Sequence, residues 1–266
     1  MPAIGLGTWM MGERRRDRSR EIAALKLGIA LGMTLIDTAE MYAEGSAEEV
    51  VGEAIAGRRA EVFLVSKVYP HNASRPGAIA ACQRSLDRLG TDYLDLYLLH
   101  WRGDIPLAQT VAAFESLRAD GRIRAWGVSN FDRGDMKELL SLPDGRHCAV
   151  NQVLYHLGCR GIEWDLLPFC RHHGIAVMAY SPFGQGGLLK RRPLQDLARR
   201  VGITPAQLAL AWLLRHSGVA VIPKAAASRH VRENRAAAEF QLPVAAVAEL
   251  DRLFPPPTRA TPLAML

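Results

Sequence analysis

Four residue types at the ends of apolar runs carry the chemistry of this sequence. Met33-Thr34-Leu35-Ile36 turns polar at Asp37, and Tyr42 follows within one short loop. Lys67 closes the run that begins at Val62, and His100 closes the run that begins at Tyr93. A free phenol has a pKa of about 10, too high to exchange protons well at neutral pH. An ammonium beside it stabilises the phenolate and lowers that value. Asp37 beside Lys67 would hold the ammonium charged and oriented. His100 at the same mouth would face an oxygen that gains negative charge, together with Tyr42. That arrangement suits the reduction of a carbonyl group by hydride. Taken singly, the residues have plainer readings: an Asp37–Lys67 ion pair with Tyr42 packed nearby, and a hydrogen-bonded core histidine.

The elements that must position these groups alternate along the chain. Strand-like runs span Ile4–Trp9, Thr34–Asp37, Val62–Lys67, Tyr93–His100, Ile123–Asn130, Cys148–Gln152, Ala176–Ser181 and Val219–Lys224. Helical spacing lies between them, over Ser19–Gly32, Ser46–Gly57, Arg75–Gly90, Pro106–Gly121, Asp132–Ser141 and Ile162–His173. It continues over Leu194–Val201, Pro205–His216, Ser228–Phe240 and Val244–Leu253. Gly32 reads as a helix C-cap, Ser46 with Glu49 as a capping box, and Pro106 as a first-turn proline. Eight strand-then-helix units in 266 residues predict a single-domain (β/α)8 TIM barrel. A doubly wound sheet would need a nucleotide fingerprint at its first turn, but Gly5-x-Gly7 has Met10 where the third glycine belongs. In a barrel the site lies at the strand C-termini. Those ends are Asp37, Lys67, His100, Ser129-Asn130, Gln152, Tyr180-Ser181 and Lys224. One polar end is unremarkable; so many together select one mouth.

Composition excludes other classes. The chain is 49% hydrophobic and 23% charged, ordinary for a globular protein. No stretch approaches the roughly 18 unbroken apolar residues of a membrane span, and no secretory leader is evident. The four cysteines are scattered, which suits reduced thiols and a cytoplasmic setting. Cys170 with His172-His173 lacks further ligands at zinc spacing, so no metal is expected. The formal charge of +6 is dispersed, which argues against nucleic acid and for a solvated face or a field that draws an anionic cofactor.

Over essentially its whole length the chain resembles the aldo/keto reductase superfamily. The resemblance rests on Gly5-Leu6-Gly7-Thr8-Trp9, Asp37-Thr38-Ala39-x-x-Tyr42, Leu64-Val65-Ser66-Lys67 and Asp95-Leu96-x-x-x-His100-Trp101. It continues in Gly127-Val128-Ser129-Asn130-Phe131, Asn151-Gln152, Tyr180-Ser181-Pro182, Ile222-Pro223-Lys224 and Glu233-Asn234. Asp37-Thr38-Ala39-Glu40-Met41-Tyr42 and Ser66-Lys67-Val68-Tyr69-Pro70 look most like its bacterial methylglyoxal-reductase-like branch.

The resemblance implies a catalytic tetrad of Asp37, Tyr42, Lys67 and His100, with Tyr42 as general acid. It implies NADP(H) as cofactor, with Gly7, Thr8, Trp9 and Asp37 near it. Ser129, Asn130 and Gln152 would hold the nicotinamide carboxamide, and Tyr180 would stack on the ring. Ser181, Pro182, Phe183 and Gly184 would follow the pyrophosphate, Lys224 and His230 the 2′-phosphate, and Glu233 and Asn234 the adenine. Trp9, Tyr42, His100 and Trp101 would line the pocket for a small carbonyl substrate, favouring 2-oxoaldehydes such as methylglyoxal. The family leans to monomers. Two departures stand out. Ala225 and His230 replace the usual hydroxyl residue and arginine, with Arg229 one place early. Almost nothing precedes the first strand, where relatives carry a short hairpin, so a more open barrel bottom is expected. The glycines between Ser181 and Pro193 suggest a short, mobile loop. Two rival classes are a redox-sensing NADPH-binding subunit with little turnover and a barrel aldolase using Lys67 as a Schiff-base nucleophile.

Overall fold

A strand buried on both faces sends alternate side chains into two different cores. In the computed structural model, which describes residues 1–266, the eight strands do this around a barrel. They are β1 (Gly5–Gly7), β2 (Leu35–Asp37), β3 (Phe63–Val68), β4 (Leu94–Leu99), β5 (Ile123–Ser129), β6 (Cys148–Leu154), β7 (Ala176–Tyr180) and β8 (Val219–Val221). All neighbours are parallel and follow chain order. Bridges Ile4–Val221 and Gly7–Lys224 draw β8 back to β1. The Val221 amide donates to Ala3 O at 2.8 Å there, and the Gly7 amide to Pro223 O at 3.2 Å.

One set of side chains fills the barrel: Leu35, Val65, Leu96, Leu98, Val150, Met178, Ala220 and Ile222. The alternate set, including Leu6, Ile36, Leu64, Tyr97, Trp126 and Val177, packs outward against the helices. The period of two then places Asp37 above Leu35, Lys67 above Val65, Gln152 above Val150 and Tyr180 above Met178. At the opposite end Phe63, Ala125, Ala149 and Ala176 are only partly buried.

The helices are α1 (Arg18–Ala30), α2 (Ser46–Ile55), α3 (Arg75–Leu89), α4 (Leu107–Ala119), α5 (Arg133–Ser141), α6 (Leu166–His172), α7 (Arg192–Val201), α8 (Pro205–Leu214), α9 (Ser228–Ala236) and α10 (Val244–Leu253). Two expected starts are corrected. Ser46 is the first residue of α2, not its cap: Gly45 takes the cap position at φ 93°, and no side chain caps the helix. Pro106 stands one place before α4, at its cap. A capping box does form at α5, between Asp132 and Asp135, and another at α8, between Thr204 and Gln207. Gly32 follows α1 at φ 86°, as its position suggested. The Ile162–His173 segment divides into a short 3-10 turn, Gly161–Glu163, and α6.

Close approach between strands dictates two glycines. A Cβ on Gly127 would lie 2.3 Å from Val150 O, and one on Gly7 would lie 2.7 Å from Ile222 O. Both clashes are with backbone, so neither neighbour can rotate away. Gly127→Ala is therefore expected to lower stability by about 1–3 kcal/mol, the range for forced overpacking. A urea unfolding midpoint equal to that of the wild type would contradict this.

Candidate active site

Lys67 is fully buried, and its ammonium is saturated by three oxygens. It donates to Asp37 Oδ2 at 2.8 Å, to Thr38 O at 2.8 Å and to Tyr42 Oη at 3.2 Å. Asp37 completes its own shell with Gln152 Nε2, which donates to Oδ1 at 2.7 Å. The Asp37 carbonyl is held by Thr8, through its hydroxyl at 3.0 Å and its amide at 3.1 Å. β2 thus delivers Asp37, β3 delivers Lys67, and β6 delivers Gln152 from across the barrel. Tyr42 comes from the loop after β2. Ala43 and Glu44 behind it take left-handed φ of 48° and 55°, turning the chain so that the phenol faces Lys67.

The electrostatics correct one expectation. Burial, and next the Asp37 charge, push the Tyr42 phenol well above its ordinary pKa. Lys67 does not lower it on balance: burial first, and then Asp37, which pairs with the ammonium at 2.8 Å, outweigh it. The phenol is held protonated, the form a proton donor needs. Burial pulls Lys67 down, and Asp37 partly restores it. His100 is buried beside them. Burial first, and then the Lys67 charge, push it down to about 2, so the ring is neutral. Its Nδ1 is buried without a partner, which leaves Nε2 as the nitrogen able to meet an incoming oxygen.

An unbroken run of aromatic contacts walls the mouth. Trp9 meets Tyr42 edge-on at 5.1 Å between centroids, and Tyr42 meets His100 at 5.7 Å. His100 meets Trp101 at 5.0 Å, Trp101 meets Tyr69 at 5.8 Å, and Tyr69 lies 4.6 Å from His71. Trp9 is 43% exposed, so this wall is open to solvent at one end. The sequence reading did not assign Tyr69 and His71 to the site. Their signal was their place just past the polar end of β3.

The remaining candidates fall into two groups. Ser129, Asn130, Gln152 and Tyr180 share the mouth with the tetrad. Asn130 Nδ2 donates to His100 O at 3.1 Å and to Ser129 Oγ at 3.2 Å, and Tyr180 Oη donates to Asn130 Oδ1 at 2.9 Å. Gln152 Oε1 has no protein partner, since its nitrogen serves Asp37 and Met178 Sδ. Asn151, one place earlier, points outward and donates to Phe131 O. Thr8 is fully buried with its hydroxyl engaged, and Gly7 is fixed by the β1–β8 approach, so both shape the mouth and offer no free polar group.

The second group lies farther along the C-terminal third. The loop Ser181-Pro182-Phe183-Gly184 is a chain of turns rather than an unstructured flap: Gly184 N donates to Ser181 O, Gly187 N to Gly184 O and Leu188 N to Phe183 O. Lys224 is exposed, with no acidic partner, just ahead of α9. His230 is exposed on α9, and Arg229 donates to its Nε2 at 3.2 Å. Glu233 is half-buried, and Asn234 is buried with its Nδ2 unpartnered. A free cation, a helix N-terminus and an orphaned buried amide along one flank fit a phosphorylated dinucleotide. A separate cleft of 540 Å3, between α5 and the tail Pro255–Ala264, includes none of the tetrad.

A parallel barrel with a buried aspartate–lysine pair against a phenol, and a neutral histidine beside it, defines a class of carbonyl-handling oxidoreductase. The model of the aldo/keto reductase family matches residues 3–254, and the chain belongs to that family. Methylglyoxal reductase YeaE of Escherichia coli is 56% identical over 271 residues, covering 100% of this chain and 95% of the relative. Glyoxal reductase of Bacillus subtilis is 36% identical, over 95% and 89% of the two chains. An aldo/keto reductase of Klebsiella pneumoniae, solved with NADP and acetate, is 57% identical and superposes with a TM-score of 0.98, over 100% and 96% of the two chains.

Two outcomes follow from the buried pair. Lys67→Met leaves the Asp37 carboxylate buried without its cation and is expected to cost about 3–5 kcal/mol in urea unfolding. Because His100 is already neutral, the pH profile of kcat/KM is expected to show no inflection near the ordinary histidine value of about 6.5. An inflection there that vanished in His100→Asn would assign it to His100 and refute this.

Proposed function

We propose that the chain reduces small reactive aldehydes and ketones to alcohols with NADPH, favouring 2-oxoaldehydes of the methylglyoxal kind. The observation that carries this is the Lys67 ammonium, which touches Asp37 and the Tyr42 hydroxyl at once. Bound NADPH supplies the hydride. Tyr42 Oη and His100 Nε2 hold the carbonyl oxygen between them and polarise it. As that oxygen takes the electron pair of the C=O bond, Tyr42 gives it the phenol proton. Lys67 then stabilises the phenolate, because its third hydrogen already points at Tyr42 Oη. Asp37 keeps Lys67 charged through the step, and the Tyr42 proton is restored from solvent at the open mouth. On the cofactor side, Ser129, Asn130 and Gln152 fix the nicotinamide and Tyr180 covers its face. Ser181 to Gly184 follow the pyrophosphate. Lys224 and its basic neighbours Arg229 and His230 favour NADPH over NADH, while Glu233 and Asn234 meet the adenine.

Several observations support the substrate class. The wall formed by Trp9, Tyr42, His100 and Trp101 is apolar, and the loop after β7 is short. The relatives named above include reductases of methylglyoxal and glyoxal. Lys67 does not suit a Schiff-base aldolase, because all three of its hydrogens are engaged and its side chain is buried. We further propose that the protein works as a cytoplasmic monomer, without nucleic acid or membrane partners; no helix is long and apolar enough to cross a membrane.

The test is NADPH oxidation with methylglyoxal and with an aromatic aldehyde, for the wild type and for Tyr42→Phe. The expected result is a fall in kcat on the order of a hundredfold or more, with NADPH binding retained, as for loss of a general acid. Tight NADPH binding without turnover in the wild type would instead identify a sensing subunit.

A further inference from the structure

Asn130 stands at the end of β5 with a left-handed backbone, φ 59°. Asparagine tolerates that region better than most residues, but it is still a costly place to hold a side chain. What the conformation achieves is visible in the amide. Both hydrogens of Nδ2 are engaged, one by the main-chain carbonyl of His100 and one by Ser129 Oγ. Oδ1 accepts from the Tyr180 hydroxyl. One side chain therefore ties together the C-terminal ends of β4, β5 and β7. His100, Ser129 and Tyr180 are the groups that must agree in position if hydride and proton are to reach one carbonyl.

The His100 carbonyl, which can only accept, decides which way this amide faces, and the Tyr180 hydroxyl holds the oxygen on its other side. Oδ1 and Nδ2 have nearly the same shape, and the rotation that exchanges them is broad and soft. With Nδ2 turned to that carbonyl, Oδ1 faces Tyr180, and the phenol hydrogen restrains the soft rotation from that side. Ser181, next in the chain, is also left-handed at φ 47°, which fixes the turn that follows the tyrosine.

We propose that the Tyr180 hydroxyl is a positioning group, distinct from the stacking role of its ring. Through Asn130 it sets the His100 main chain and the Ser129 hydroxyl in one register, so that cofactor clamp and oxyanion donor are aligned together. This rests on the NADPH-dependent reading above. It assigns to Tyr180 a second function that its aromatic face cannot supply.

The decisive experiment is a double-mutant cycle between Tyr180→Phe, which keeps the ring, and Asn130→Gly, which accepts the left-handed backbone without a side chain. NADPH affinity is read by quenching of tryptophan fluorescence, and kcat and KM by NADPH oxidation with methylglyoxal. In the wild-type background Tyr180→Phe is expected to weaken NADPH binding roughly threefold to tenfold, the effect of one net hydrogen bond, and to lower kcat similarly while KM for the aldehyde stays put. In the Asn130→Gly background the same change is expected to be silent. A Tyr180→Phe protein with unchanged affinity and kcat, or one whose full effect persists beside Asn130→Gly, overturns the proposal. A wild-type protein that binds NADPH but reduces no carbonyl overturns the reductase reading alone, and the coupling in NADPH affinity then decides this one. A wild-type protein that does not bind NADPH overturns both.

Discussion

A buried ammonium must be matched oxygen by oxygen, and the upper half of this barrel is arranged to satisfy that demand at Lys67. Removing such a charge from water costs several kcal/mol even after relaxation. The cost is offset only if every hydrogen finds an acceptor. Asp37, the Thr38 carbonyl and Tyr42 supply three, from the end of one strand and the loop after it. Asp37 in turn needs Gln152 on its other oxygen and Thr8 on its carbonyl. β1, β2, β3 and β6 are thereby tied at one level. The acid, its tuning groups and the barrel's top layer are one polar network inside an apolar frame.

The same economy operates around His100. Its ring is held neutral by burial and by Lys67, so it acts as a dipole and leaves net charge to the pair beside it. Its backbone carbonyl is braced by Asn130, whose left-handed turn would be unfavourable without the bonds it makes. Left-handed residues recur where chain direction matters most, at Met10, Ala43, Asn130 and Ser181, each just past the end of a strand that feeds the mouth. Strain of this kind persists only when surrounding contacts over-determine it. Here those contacts are the site.

Outside the barrel, further buried carboxylates lock the helix layer to the strands. Glu48 on α2 accepts from Ser66 at 2.5 Å and Arg88 at 2.6 Å, and Asp95 accepts from Arg59, Arg124 and the Leu64 amide. Ser66 and Lys67 are neighbours on β3 that face opposite ways. One anchors the strand to α2, and the other carries the chemistry inside. The alternation of the strand makes both possible within two residues.

Much was legible in the sequence. The eight apolar runs, their polar ends and the helical spacing between them specified a parallel barrel, because a strand buried on both faces leaves a continuous apolar signature. Asp37, Lys67 and His100 could be named as polar ends of such runs, and Tyr42 one loop on, because many polar ends together, rather than any one of them, select a single mouth. Local rules fared less well at boundaries. Ser46 lost its cap to Gly45, whose positive φ follows from the turn behind Tyr42 rather than from any cap signal in the sequence. The sequence also suggested that Lys67 would lower the Tyr42 pKa. Only the folded geometry showed that burial and Asp37 outweigh it, since desolvation depends on everything packed around a group. Tyr69 and His71 joined the wall, and the Tyr180–Asn130–His100 brace formed, through contacts between strands far apart in the chain. Residue types and their periods therefore determined which elements form and which groups sit at the mouth. Partner choice, burial and the direction of each proton were decided by tertiary structure, because they depend on distances that no spacing along the chain encodes.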